Sequence, residues 1–234
     1  MNKIASEVYV IDMDEAVYDT GRAFHKMSAM AVAAGMATAD QLHEARAMVE
    51  ASGGSFDLTG YLLGSGSSET ELDEMTTEFG DNGESDDFLY EDAHALFTAI
   101  DEADAAYYIL TKGGTLTQVA KLRSADLYRR PHLITDDTRK GQAVARSRTP
   151  EGLYAVRADV GGSAAAKLIV ARSAFVVEDK AAGFDGLPEN CSGAWVVRSE
   201  PRESQRGTVP ERVMRVSSLY PVVQRIRKSR SLAA

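Results

Sequence analysis

Val8-Tyr9-Val10-Ile11-Asp12-Met13-Asp14-Glu15-Ala16-Val17-Tyr18-Asp19-Thr20 runs four apolar residues straight into two aspartates spaced one apart. A short apolar run bounded by polar residues reads as a buried strand, here residues 7–12. In an open α/β sheet the carboxyl end of such a strand opens onto the ligand crevice. Two carboxylates placed there can hold a divalent cation, and one of them can attack phosphorus.

The stretches that follow supply a sheet around this strand. Residues 20–51 read as a helix, rich in Ala, Met and Leu, free of Pro, with Phe24, Met27 and Met30 or Ala31 at helical spacing. Ser52-Gly53-Gly54-Ser55 breaks it. A short helix over 56–63 is closed by Gly64-Ser65-Gly66-Ser67-Ser68, and two acidic amphipathic helices over 69–79 and 90–102 are separated by Gly80-Asp81-Asn82-Gly83. Ala105-Ala106-Tyr107-Tyr108-Ile109-Leu110-Thr111-Lys112-Gly113-Gly114 is a second buried strand ending in a glycine-rich turn. A helix over 116–122, strands over 132–135, 168–177 and 194–198, and a terminal helix over 216–226, kinked or started at Pro221, complete the reading. Strands alternating with helices favour a parallel sheet. The expected fold is therefore α/β, a doubly wound, Rossmann-like parallel sheet. About ninety mostly helical residues separate the first two strands, far more than an ordinary crossover. They read as an inserted α-helical cap over 21–100, with 1–20 and 101–234 forming the core.

Composition narrows the partners. The 234 residues are 44% hydrophobic, enough for a real core, and carry a net charge of −9. No apolar run approaches the length of a membrane span, and no basic-then-apolar leader opens the chain, so a cytoplasmic protein is expected. Residues 47–111 hold 16 acids and no Lys or Arg, which repels a phosphate backbone and argues against a nucleic-acid partner. Residues 202–230 carry 8 basic side chains against Glu203 and Glu211; a solvated helix face is the expected reading, a polyanion patch the alternative. The single cysteine, Cys191, excludes an internal disulfide and a multi-cysteine metal site. Asn190-Cys191-Ser192 is read as a chance glycosylation match. His25, His43, His94 and His132 show no metal-ligand spacing, and Gly64-Ser65-Gly66 lacks the Lys-Ser/Thr of a phosphate loop.

Three motifs at strand ends, in order, resemble those of the haloacid dehalogenase superfamily of aspartate-nucleophile phosphatases. Asp12-Met13-Asp14-Glu15-Ala16-Val17-Tyr18-Asp19-Thr20 is similar to its first motif and Ile109-Leu110-Thr111-Lys112-Gly113 to its second. Val176-Val177-Glu178-Asp179-Lys180-Ala181-Ala182-Gly183-Phe184 is similar to its fourth, in the acidic-pair form of phosphoglucomutase-like members. The helical insert sits where such members carry a cap.

The resemblance implies roles. Asp12 is the expected nucleophile, forming an aspartyl-phosphate, and Asp14 the expected acid and base. Thr111, with the backbone N–H groups of Lys112 and Gly113, holds the phosphoryl oxygens. Lys140, in Asp136-Asp137-Thr138-Arg139-Lys140-Gly141, places a positive charge beside them. Mg²⁺ takes Asp12, the Asp14 carbonyl and Asp179, with Glu178 beside them. The substrate expected is a small phosphorylated metabolite.

Three features depart from the family pattern. Ala16 stands where Thr is common. Lys140 lies nearly forty residues before Asp179, so Lys167, only twelve before it, is the rival lysine. Lys112 adds a charge to the second motif that could share the phosphate contact. Dehalogenation is disfavoured because Asp14 is retained, and phosphomutase action because nothing marks a second phosphate site. The alternative from another class is a binding or regulatory protein that kept the fold and lost turnover.

Overall fold

The computed structural model describes residues 4–52, 54, 56–81, 87–136, 139–198 and 207–231. The breaks read at 53, 55, 82 and 83, Asp137-Thr138 before Lys140, and the first basic residues of the tail from Arg202 lie outside them.

A seven-stranded sheet forms the centre. Its strands are β1 (Ala5–Ile11), β2 (Ala106–Lys112), β3 (His132–Thr135), β4 (Tyr154–Ala158), β5 (Lys167–Glu178), β6 (Ser192–Val196) and β7 (Val213–Val216). The order is β3-β2-β1-β5-β6-β7, with β4 paired to β5. Every pairing is parallel except β4 against β5. Strand order runs outward both ways from the β1–β5 pair, the doubly wound α/β arrangement, and β1, β2 and β5 end side by side: Ile11 pairs with both Ile109 and Val177.

Side chains alternate between two buried faces, as a covered sheet requires. Tyr9, Ile11, Tyr107, Ile109, Phe175 and Val177 share one core with Leu96 and Ile100 of α5 (Glu91–Ala103), Leu122 of α6 (Thr115–Ser124) and Val223 and Ile226 of α8 (Tyr220–Ser231). Val8, Val10, Tyr108, Leu110 and Val176 pack on the other face with Val144 of α7 (Lys140–Arg146), Tyr154, Phe184 and Trp195.

Between β1 and β2 lie α1 (Thr20–Ala33), α2 (Ala39–Ala51), α3 (Leu58–Gly64), α4 (Glu69–Asp81) and α5. The single helix expected over 20–51 is two. Gly35 turns the chain at φ +73°, a conformation that costs glycine little. Thr38 and Gln41 then form a reciprocal capping box that starts α2. α4 packs against α6 and α5 against α8. Gly80 of α4 permits the first contact, because a Cβ there would stand 2.9 Å from the Arg123 side chain.

Three further elements were not expected: β4, α7 and β7. Val216, expected to begin the terminal helix, instead ends β7, and α8 begins one residue before Pro221, a position where proline's missing N–H costs nothing. Within the tail Arg225 chelates Glu7, with nitrogen–oxygen distances of 2.9–3.3 Å, and Arg227 stands 3.9 Å from Glu102. No helix among the described residues is long and apolar enough to cross a membrane.

Candidate active site

Asp12 leaves the end of β1 with its N–H still donated to the Val177 carbonyl of β5 at 2.9 Å, so the sheet ladder holds its backbone. Its Oδ1 accepts the Met13 N–H at 2.8 Å. The chain then makes one tight turn, with Val17 and Tyr18 N–H both donated to the Met13 carbonyl. Glu15 takes the left-handed conformation at φ +61°, uncommon for a residue with a Cβ. That turn sends Asp14 away from Asp12 and toward α6.

Beside Asp12, β5 delivers Glu178 and Asp179. Carboxylate oxygens of Asp12, Glu178 and Asp179 lie within 4.8 Å of one another, and all three residues are buried. Close packing sets the pair in place. A Cβ on Gly183 would fall 2.4 Å from Cγ of Glu178, and Trp195 donates its indole N–H to the Asp179 carbonyl at 2.9 Å.

Lys140 reaches this cluster from the first turn of α7. Its Nζ bonds Asp12 Oδ1 and lies 2.7 Å from Glu178 Oε2. Gly141 makes that approach possible, since a Cβ there would meet backbone atoms of Phe184, Asp185 and Leu187 at 2.7–2.9 Å. Lys167, the rival, is exposed at the far end of the twelve-residue β5. At about 3.3 Å per residue it sits roughly 36 Å from Glu178 along the strand.

Charge in the cluster is unbalanced. Burial, then the Glu178 charge, pushes the Asp12 carboxyl up to about 7. Burial, followed by the charges of Glu178 and Asp12, raises Asp179 well above its ordinary value. Burial would raise Glu178 too, but the Lys140 charge together with hydrogen bonds to Asp179, Lys140 and the Lys180 N–H outweighs it, and the net shift is downward. Burial disfavours charge on Lys140 itself; Asp12 and Glu178 overcome this and hold it protonated. Three carboxylates around one contacting ammonium leave room for a divalent cation, which takes oxygen ligands of this kind. The residues present fit Mg²⁺. The Asp14 carboxylate is not part of that donor set.

Asp14 has its own partners. Its Oδ1 accepts from Lys121 Nζ at 2.8 Å and from Thr20 Oγ1 at 2.8 Å, and its Oδ2 lies 3.5 Å from Gln118 Nε2. Burial would raise its pKa, but Lys121, aided by Thr20, reverses the direction and the net shift is downward. Lys121 and Gln118 escaped the sequence reading. The signal available was their spacing of three on one face of α6 directly after the second motif.

Thr111 is fully buried at the end of β2 and donates its hydroxyl to Gln118 Oε1 at 2.9 Å; Gln118 in turn donates to the Lys112 carbonyl at 3.0 Å. Gly113 sits at φ +145° and Gly114 caps α6. A Cβ at Gly114 would stand 2.2 Å from Oδ2 of Asp57, and the same carboxylate accepts from Thr59 and Thr117 through Oδ1. The segment entering α3 is thereby tied to α6.

A cavity of about 530 Å³ opens beside these groups; Asp14, Gly113 and Asp179 line it, whereas Asp12, Thr111, Lys140 and Glu178 do not. Asp14, Lys112, Gln118, Lys121 and Asp179 line one side, and Phe24, Met27, Arg46, Phe56 and Leu58 the other. Met27 lines the cavity, whereas Met30 and Tyr61 pack against the core. No histidine belongs to the metal-competent cluster.

No family profile matches the sequence, and no curated protein matches it significantly. Solved structures do resemble it. A Burkholderia xenovorans LB400 chain described as haloacid dehalogenase-like superposes with a TM-score of 0.62 at 16% identity, covering 94% of this chain and 98% of that one. L-2-haloacid dehalogenase from Xanthobacter autotrophicus, solved with chloropropionic acid covalently bound, gives 0.52 at 14% identity, covering 96% and 99%. At such identities the likeness is one of fold.

Proposed function

We propose that this chain, which has the haloacid dehalogenase-like fold, is a Mg²⁺-dependent hydrolase of small phosphomonoesters working through an aspartyl-phosphate. One observation carries the reading: a buried carboxylate at a strand's carboxyl end, Asp12, gripped by a buried lysine that also binds a second carboxylate. A lone structural ion pair has no need of the extra carboxylates, which raise its desolvation cost. A site that receives a metal and a phosphoryl group does need them.

In this reading an Asp12 Oδ forms a bond to phosphorus as the bond to the leaving oxygen breaks. The leaving alkoxide takes its proton from Asp14, and Asp14 then removes one from the water that attacks the acyl phosphate and frees inorganic phosphate. Thr111, the N–H groups of Lys112 and Gly113, and Lys140 hold the phosphoryl oxygens where charge develops. Bound Mg²⁺, held by Asp12, Glu178, Asp179 and the Asp14 carbonyl, would offset the anionic charge of carboxylates and phosphoryl group. The helices of residues 21–100 act as the cap that closes over the cavity and excludes water. The site is read as cytoplasmic and as serving a phosphorylated metabolite.

A second reading, a binding protein without turnover, draws on the Lys121–Asp14 pair, which holds the expected acid in its ionised form. Hydrolysis of p-nitrophenyl phosphate with Mg²⁺, by the wild type beside Asp12→Asn, separates the two. Turnover lost in the variant and on chelation supports the hydrolase. No turnover by either folded protein supports the binding protein.

A further inference from the structure

We infer that Lys121 is a specificity-determining residue which selects phosphomonoesters whose leaving alcohol bears a carboxylate on the carbon next to the ester oxygen. The inference rests on the hydrolase reading above and deepens it.

Position is the first ground. Asp14 is the group that meets the leaving oxygen, and Lys121 Nζ stands 2.8 Å from its Oδ1. The ammonium therefore lies within about two hydrogen-bond lengths, roughly 5.5 Å, of a leaving oxygen that meets Oδ1. It is on the side of the leaving group, whereas Lys140 is on the side of Asp12 and the phosphoryl group. A carboxylate one carbon from the ester oxygen reaches into that interval.

Donor capacity is the second. An ammonium has three N–H donors, and among the described residues Asp14 is the partner of Lys121. Lys121 lines the cavity, so its remaining donors have an opening in which to meet a ligand. Its side chain is only 9% exposed. Placed on a helix packed into the core, it is held in position before any ligand arrives, and a preordered cation loses little freedom on binding.

A matched pair of esters tests this. 2-Phosphoglycerate and glycerol 2-phosphate differ in one substituent of the ester-bearing carbon, carboxylate against hydroxymethyl. With Mg²⁺ the wild type is expected to favour the carboxylate ester by about tenfold or more in kcat/KM. Lys121→Gln is expected to bring that ratio below about threefold, and Lys121→Arg to retain most of it. A wild-type ratio near one overturns the inference, and hydrolysis of p-nitrophenyl phosphate would then leave the hydrolase reading standing. An equal loss on both esters in Lys121→Gln also overturns it, making Lys121 a positioning residue for Asp14. No hydrolysis of any of the three esters by the wild type overturns both readings.

Discussion

Replacing Lys140 by Met removes the ammonium from the carboxylate cluster while keeping most of the side chain's volume. Asp12, Glu178 and Asp179 are 2–4% exposed, so water cannot take over its role without opening the core. Removing one partner from a buried ion pair typically costs about 3–5 kcal/mol. For a chain of this size about 2–4 °C of melting temperature goes with each kcal/mol, so the variant is expected to melt roughly 6–20 °C lower in EDTA at pH 8. The pH dependence has a definite sign. Asp12 is already raised to about 7 from an ordinary 3.8, by burial and then by Glu178. A carboxyl raised on folding contributes stability that is complete below its unfolded pKa and is lost as pH rises through the folded one. Without Lys140 its pKa rises further. The gap between variant and wild type should therefore narrow on going from pH 8 to pH 6. Mg²⁺ should close part of the gap at pH 8 by binding the folded state. Thermal melts at both pH values, with and without Mg²⁺, measure all of this. A variant in EDTA at pH 8 within about 2 °C of wild type would refute the claim that Lys140 neutralises the cluster.

Gly183→Ala should weaken Mg²⁺ binding about ten- to hundredfold, because its Cβ would fall 2.4 Å from Glu178 Cγ and displace that carboxylate; calorimetric titration that finds an unchanged affinity counts against Glu178 as a ligand. Arg198→Met should cost about 2–4 kcal/mol in urea unfolding. It leaves buried Asp92 with the Leu219 N–H at 2.7 Å and strips the Ala16 carbonyl of the guanidinium that holds the turn beside Asp14. Thr111→Val keeps the shape and loses one hydroxyl bond to Gln118, so stability should drop by about 1 kcal/mol while kcat/KM for p-nitrophenyl phosphate falls about 10²–10³-fold. A loss of stability alone would make Thr111 a packing residue.

The strands that build the site were legible because each is an apolar run buried on both faces, the pattern a parallel strand demands. β1, β2, β3 and β5 fall within about two residues of where the sequence places them. The elements that escaped are short or half-exposed. β4 buries only its two end residues and β7 only its first, over four or five residues, too few for a period to stand out. α7 is seven residues with a Gly at its second position, and its start is dictated by the packing of Gly141 on 184–187 rather than by helix propensity. The merging of α1 with α2 has the opposite cause. Apolar periodicity resumes so soon after Gly35 that only the capping pair Thr38–Gln41 marks the boundary.

The long interval between Lys140 and Asp179 was the least family-like feature of the sequence, and the sheet accounts for it. After α7 the chain forms β4, turns, and returns antiparallel along the first part of β5, from Lys167 to Ala171. From Ala171 onward β5 pairs with β1, and from Phe175 also with β6. The extra residues thus form a hairpin at the amino end of β5, away from the carboxylates, and lengthen the chain without moving Lys140 from the cluster. Sequence distance misleads here because the site is defined by strand ends. Any insertion that closes on itself at the opposite edge of the sheet leaves those ends in place. The same logic explains why Lys121 went unread. It is only nine residues after the motif residue Lys112, but its role depends on α6 lying beside the turn that follows β1, which brings its Nζ to Asp14. That turn holds Glu15 in the left-handed conformation, and its sequence signal is a Glu, not a Gly.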